Sequence, residues 1–185
     1  MGEQHKKHSR REHLNDFHLN VAGEYVYDGA LYACQNDDAK QRRSKRAVWG
    51  MAAILTVAVA AGGCIPAPGM QNCFYVLLPY LGEFLGAASV IWALAKLGMD
   101  WGTVREYNYK KSVAVLPVRT AVTAVFSLLG IVCELIFFFV NDHAGQTFFA
   151  LLYVLLKLIA LLSVLVLRAE IMQAEWDKLP KKNNF

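Results

Sequence analysis

Charged residues are scarce and unevenly placed in this sequence of 185 residues. They make up 18% of the chain, below the roughly 25% of soluble domains. The sequence also lacks a glycine-rich phosphate loop, a His-Glu-x-x-His zinc motif, and a serine placed for catalysis with a buried histidine and acid. Without such a motif, no enzymatic reaction can be recognised from the sequence. We therefore expect a non-enzymatic protein with no cofactor, no metal and no nucleic-acid partner.

Apolar residues dominate instead, at 56% of the chain, and they gather into four long stretches. About 20 apolar residues cross the roughly 30 Å hydrocarbon core as a helix. Stretches of this length cover about residues 47–65, 74–97, 118–140 and 147–167. A buried helix of a soluble protein keeps a polar stripe and is usually shorter, whereas residues 148–167 contain one charge in 20 residues. The sequence predicts an all-α membrane protein, with four transmembrane helices forming one bundle over residues 47–167.

Lysine and arginine are missing from two of the loops that join these spans. Of the 19 such residues, all but Lys157 lie before the first span, in or beside the link between the second and third, or after the fourth. Residues 66–73 and 141–146 contain none. Because basic residues concentrate on the cytosolic side, we expect both termini in the cytosol and a plasma-membrane location.

Residues 1–46 are predicted to be cytosolic, and the polar arm of residues 1–20 at their start is predicted to bind anionic lipid head groups through its basic residues. It contains four histidines in its first 18 residues, whose spacing matches no metal-ligand pattern. These histidines are His5, His8, His13 and His18.

Short cytosolic elements are predicted on either side of the bundle. Asp-Gly at residues 28–29, between two strand-prone runs, indicates a β-hairpin over residues 25–32. A lone hairpin is only marginally stable. Residues 106–109 repeat the Glu-Tyr-x-Tyr pattern of residues 24–27, so they are predicted to add a third strand. The tail, residues 168–185, is predicted to continue the last helix.

Three ionisable residues, Glu83, Glu134 and Lys157, lie inside predicted spans. A charge at the bilayer centre costs about 2.5–3.5 kcal/mol. At 1.5 Å per residue they lie about 13, 9 and 15 Å from the outer ends of their helices, so all three could meet in the outer half of the bundle. Gly82 and Gly86 form a Gly-x-x-x-Gly pair, which lets another helix approach closely.

Three interpretations of these charges stay open. In the structural one, Lys157 pairs with Glu83 or Glu134 and fixes which helices are neighbours. In the functional one, the three residues belong to a small proton- or ion-coupled transporter, dimeric through Gly82 and Gly86. A charge matched to another subunit is a third interpretation.

The sequence has only four cysteines and no Cys-x-x-Cys motif. Cys64 and Cys73 bracket the first outer loop, and a disulfide closing about ten residues stabilises a fold by about 2–3 kcal/mol. We predict that disulfide. The alternative is a membrane thiol–disulfide oxidoreductase, although such enzymes normally use a closer cysteine pair.

The leading functional hypothesis is an accessory, assembly or scaffold component of the membrane. It would act through helix contacts and its cytosolic face, with the lipid bilayer and another membrane protein or a second copy as partners. The transporter is the second hypothesis and the oxidoreductase the third.

Overall fold

A computed structural model describes residues 17–19, 23, 25–27, 29–98, 101–141 and 146–179. Its helices are α1 Asp38–Cys64, α2 Pro68–Asn72, α3 Phe74–Leu97, α4 Glu106–Lys111, α5 Leu116–Val140 and α6 Thr147–Met172. Its strands are β1 Phe17–Leu19, β2 Tyr25–Tyr27, β3 Leu31–Cys34, β4 Thr103–Arg105 and β5 Trp176–Lys178.

Within the residues that the structure describes, four helices are long and apolar enough to cross a membrane, as predicted. They contain 24 to 27 residues, which corresponds to about 36–40 Å at 1.5 Å per residue. Helix α1 is longer than the predicted span because its polar front is also helical. Asp38 in its first turn favours this start, since an acid there complements the helix dipole.

The long helices form an up-and-down bundle in which α1 packs on α6, α6 on α5, and α5 on α3. One small sheet collects segments that precede α1, join α3 to α5, and follow α6, so consecutive long helices run antiparallel. We call this end of the bundle the sheet end and the other the turn end. Buried apolar side chains fill the bundle between them, among them Val48, Leu94 and Leu167 in one cluster and Leu55 and Val164 in the other.

The sheet has β3 in its centre, antiparallel to β4 on one side and to β5 on the other. Tyr32 of β3 lies opposite Val104 and Lys178. The predicted hairpin is therefore wrong: β2 pairs with β1, not with β3. β2 and β1 form a separate two-stranded sheet, while β3 is the central strand of the three-stranded sheet, and three strands with a packed face are more stable than a lone hairpin of β2 and β3 would be.

The link between α3 and α5 also differs from its prediction. Its strand, β4, ends where the Glu-Tyr-x-Tyr segment begins, and that segment forms α4. It still contacts β3, because the Tyr109 ring stacks on Tyr32 with 4.1 Å between centroids. Along α4, Lys110 pairs with Glu106 at 2.7 Å, and this hydrogen bond lowers the pKa of Glu106 below its ordinary value.

The helical tail is a third prediction that differs from the structure: the helix continues from residue 168 to Met172, as predicted, but no further. Helix α6 ends at Met172 and the chain turns into β5. Trp176 lies there beside Trp101, with 6.2 Å between ring centroids, and beside Tyr109 at 6.0 Å. This aromatic packing against the buried core replaces the helix continuation that the apolar spacing of the tail predicted.

Candidate functional site

Lys157 and Glu83 form an ion pair inside the bundle. The ammonium group of Lys157, on α6, donates to Oε2 of Glu83, on α3. The two side chains are 2% and 0% exposed. Ser127, on α5, donates its hydroxyl hydrogen to the other carboxylate oxygen of Glu83. Each oxygen of this carboxylate thus has a donor, and the contact joins three of the four long helices.

Aromatic rings enclose the charge of Lys157. Its Nζ lies 4.6 Å from the ring centroid of Tyr80 and 5.1 Å from that of Tyr153, within the range of cation–π attraction. The lysine stem passes over Gly130 of α5, where an added Cβ would lie 3.6 Å from Cε. A buried charge pair is stable only when further contacts satisfy it, and this pair has them.

Glu134 is not part of that contact. It is fully buried on α5, and neither of its carboxylate oxygens accepts a hydrogen bond of ordinary geometry among the described residues, although the backbone of Gly69 lies close enough to stabilise its charge. It lies against the backbone of Gly69 in α2. A Cβ at Gly69 would overlap Glu134 Oε2 and lie 3.0 Å from its Cδ and 3.1 Å from Phe137 Cδ1. The absence of a side chain at Gly69 therefore makes room for this carboxyl group.

Tyr153 is a second buried polar group near Glu134. Its hydroxyl is fully buried and has no hydrogen-bond partner in the part of the chain that the structure describes. Helices α5 and α6 run antiparallel with Gly130 against Lys157, so one turn further along, Glu134 comes level with Tyr153. A buried polar group without a partner costs about 1–3 kcal/mol, so these two groups together form a candidate site for a proton or a small polar ligand.

The structure thus unites Lys157 with Glu83 and keeps Glu134 apart. Helical spacing places Ser127 on the polar face of α5 with Glu134, but its role as a donor to Glu83 and the unpartnered hydroxyl of Tyr153 were not predicted. The spacing that could have found Tyr153 is visible, since it precedes Lys157 by one helical turn and shares its face.

Gly82 and Gly86 bring α3 against α5 within the chain. A Cβ at Gly82 would lie 2.5 Å from Phe126 Cδ1, and one at Gly86 would lie 2.6 Å from Thr123 Oγ1. The face predicted for helix packing is therefore occupied by α5. A dimer through these two glycines would need this packing to open.

The predicted disulfide between Cys64 and Cys73 is not formed, and all four cysteines are free thiols. The physical reason lies in the loop between them, which is not a flexible connection. It folds as α2, and Cys73 closes that helix by donating its N–H to the carbonyl of Gly69 at 2.9 Å. Cys64 is exposed at the end of α1, and Cys73 is half-buried. The oxidoreductase hypothesis stays a prediction.

Comparisons with protein-family models, curated proteins and solved structures find no match. Among the described residues, no group of three His, Cys, Asp or Glu could hold a metal ion. His5, His8 and His13 lie outside that part of the chain.

Proposed function

We propose that this protein is a non-enzymatic membrane component, an accessory, assembly or scaffold protein of the plasma membrane with both termini in the cytosol. The contact of Lys157 with Glu83 and Ser127 carries the proposal. It uses the charges inside the bundle to hold helices together, which is the role of a packing interaction. Partners would then bind to the outer surface of the bundle and to its sheet end.

The sheet end offers a surface suited to a protein partner. Three segments far apart in the sequence are fixed there in one sheet, so the surface is held in shape by the whole bundle. β5 is an edge strand whose Asp177 and Lys178 are exposed. Edge strands present backbone donors and acceptors to which an extended segment of a partner can add.

The experiment is a pull-down of the tagged chain from its own membranes in a mild detergent. Recovery of one or two proteins in fixed proportion is expected, and their loss from a variant with Asp177→Lys and Lys178→Glu would assign the contact to the sheet edge. A matched control reverses exposed charges on α1 with Asp38→Lys and Lys40→Glu. If the chain is recovered alone, or only as its own oligomer, the proposal is wrong.

The orientation is tested separately by thiol labelling. In a chain whose own cysteines are serine, Glu175→Cys reports on the sheet end and Gln71→Cys on the turn end; both positions are exposed. In intact cells a membrane-impermeant reagent should label only Gln71→Cys. Labelling of Glu175→Cys instead would place the termini outside.

A small proton-coupled transporter is the second candidate, and the pair of Glu134 and Tyr153 favours it. A carboxyl group that is buried without a partner tends to bind a proton, and a proton carrier needs such a group. Vesicles containing the purified chain should then pass protons under an imposed pH gradient, and Glu134→Gln should abolish this flux. Glu170→Gln, at the sheet end, is the matched control. Equal flux in wild type and Glu134→Gln would exclude the candidate.

A further inference from the structure

Two basic side chains at the sheet end bind carbonyl oxygens within the bundle. Arg119 donates to the carbonyl of Ser89 at 2.6 Å, and Arg168 donates to the carbonyl of Pro117. Both side chains are half-buried. Their positive charges therefore stabilise helix contacts.

Helix α1 carries a different set of basic residues, Arg42, Lys45 and Arg46. They recur at three- and four-residue spacing with Trp49, so all four share one side of the helix. Together they line a surface depression of about 330 Å³. None of the three cations forms an ion pair with another described residue. Arg42 and Arg46 lie four residues apart on the helix, where like charges repel each other, and a bound anion would remove that repulsion.

The opposite side of α1 packs against the bundle and so determines which way this depression faces. Ser44 is buried and donates to Glu170 of α6 at 2.8 Å. Val48 is fully buried in the core at the sheet end. With this side held against α6, the exposed Arg42 and Arg46 face away from the bundle, while the half-buried Trp49 packs partly against the core and leaves its remaining surface open.

The position of the depression along α1 matches the level of the lipid head groups in a bilayer. Residues 47–64 carry no charge and extend about 27 Å as a helix, close to the roughly 30 Å of the hydrocarbon core. Arg42 precedes them by five residues, so the basic group lies within about 8 Å of the core edge. Trp49 lies inside that edge, at the level where tryptophan is enriched in membrane proteins.

We propose that Arg42, Lys45, Arg46 and Trp49 form a binding site for an anionic phospholipid of the leaflet at the sheet end. The three cations bind the phosphate group, as basic clusters beside a membrane span do. Trp49 packs along the part of the lipid that joins the head group to its chains. A phosphate free in solution would gain nothing from Trp49, which is why the site favours a lipid.

The test uses the full chain, purified in detergent and freed of lipid, and counts bound phosphatidylglycerol or phosphatidylcholine by native mass spectrometry. Phosphatidylglycerol should bind more tightly than phosphatidylcholine. Arg42→Gln with Arg46→Gln should weaken phosphatidylglycerol binding about thirtyfold, taking about 1 kcal/mol per basic residue. The matched control, Lys40→Gln with Arg43→Gln, removes the same charge from other sides of the same helix and should weaken it less than about threefold.

A second measurement needs no substitution. Phosphatidylglycerol should protect Arg42 and Arg46, but not Arg43, from an arginine-modifying dicarbonyl reagent, as read by peptide mass spectrometry. Equal weakening in both double variants, equal protection of all three arginines, or no preference over phosphatidylcholine would overturn the proposal. Displacement of the lipid by millimolar inorganic phosphate would also overturn it and would assign a site for a free anion.

Discussion

Replacement of Lys157 by methionine should destabilise the bundle strongly. Methionine keeps the length of the side chain but removes the charge, which leaves the fully buried carboxylate of Glu83 with Ser127 as its only described donor. Removing one partner of a buried ion pair costs about 3–5 kcal/mol. A lone buried carboxyl group can bind a proton, which limits the loss. We therefore expect Lys157→Met to lower the free energy of unfolding by about 3 kcal/mol.

A second substitution separates the ion pair from other effects of losing the lysine. Adding Glu83→Gln to Lys157→Met removes both charges, and neutral replacements of a buried pair are often tolerated. The double variant should lie within about 1 kcal/mol of wild type, although Glu83→Gln alone should also lose about 3 kcal/mol. The two substitutions would then be strongly non-additive, as residues in direct contact are.

The assay is unfolding by sodium dodecyl sulfate in mixed micelles, followed by near-ultraviolet circular dichroism of the buried aromatic residues. Lys178→Met, at an exposed lysine in β5, is the matched control and should change stability by less than about 0.5 kcal/mol. The reasoning is refuted if Lys157→Met loses less than about 1 kcal/mol, or if the losses of the two single variants simply add in the double variant.

Three further predictions use the same assay. Gly86→Ala should destabilise the fold by about 1–3 kcal/mol because its methyl group would force α3 away from α5. The control Gly50→Ala, at a helix position with open space around it, should stabilise the fold by up to about 1 kcal/mol. Equal effects of the two substitutions would contradict the close packing of α3 on α5. Gly69→Ala should lose about 1–3 kcal/mol, since its methyl group overlaps the carboxylate beneath it, and a neutral result would place that carboxylate elsewhere. Cys64→Ser with Cys73→Ser, measured without reductant, should change stability by less than about 0.5 kcal/mol; a loss of about 2–3 kcal/mol would instead show a disulfide.

The four long helices could be predicted from the sequence because a membrane span leaves a local pattern. Each needs about 20 apolar residues in a row, and hydrophobicity alone decides this, with no knowledge of tertiary contacts. The pairing of Lys157 with one of two acids was also predictable, since depth along straight helices follows from residue count. The choice of Glu83 over Glu134 was not, because it depends on how α3, α5 and α6 are rotated against each other.

The sheet end shows where local patterns fail. β4 and β5 have three residues each, and they pair with β3 across about 70 and 145 residues of sequence. Three residues carry too little alternation to identify a strand, and the bundle, not the strands, brings these segments together. The Asp-Gly pair predicted a hairpin from local turn chemistry, but the tertiary arrangement outweighed it. The tail was missed for the same reason, since Trp176 finds its aromatic partners only in the assembled fold.

The small residue at position 130 explains why the two acids in the bundle differ. The stem of Lys157 lies directly over Gly130 of α5, and this path lets it reach Glu83 on α3. A large side chain at position 130 would stand in that path. Glu134, one turn further along α5, is then left without that cation and is enclosed by Gly69 and the turn end. Glu83 therefore holds helices together through Lys157. Glu134 is buried without a cation, which costs free energy that packing alone does not offset. The two functional candidates predict different results along this line: if the protein carries protons, the flux should survive replacement of Lys157 and Glu83 by a neutral pair and should be lost in Glu134→Gln, whereas an accessory protein should show no flux in either variant.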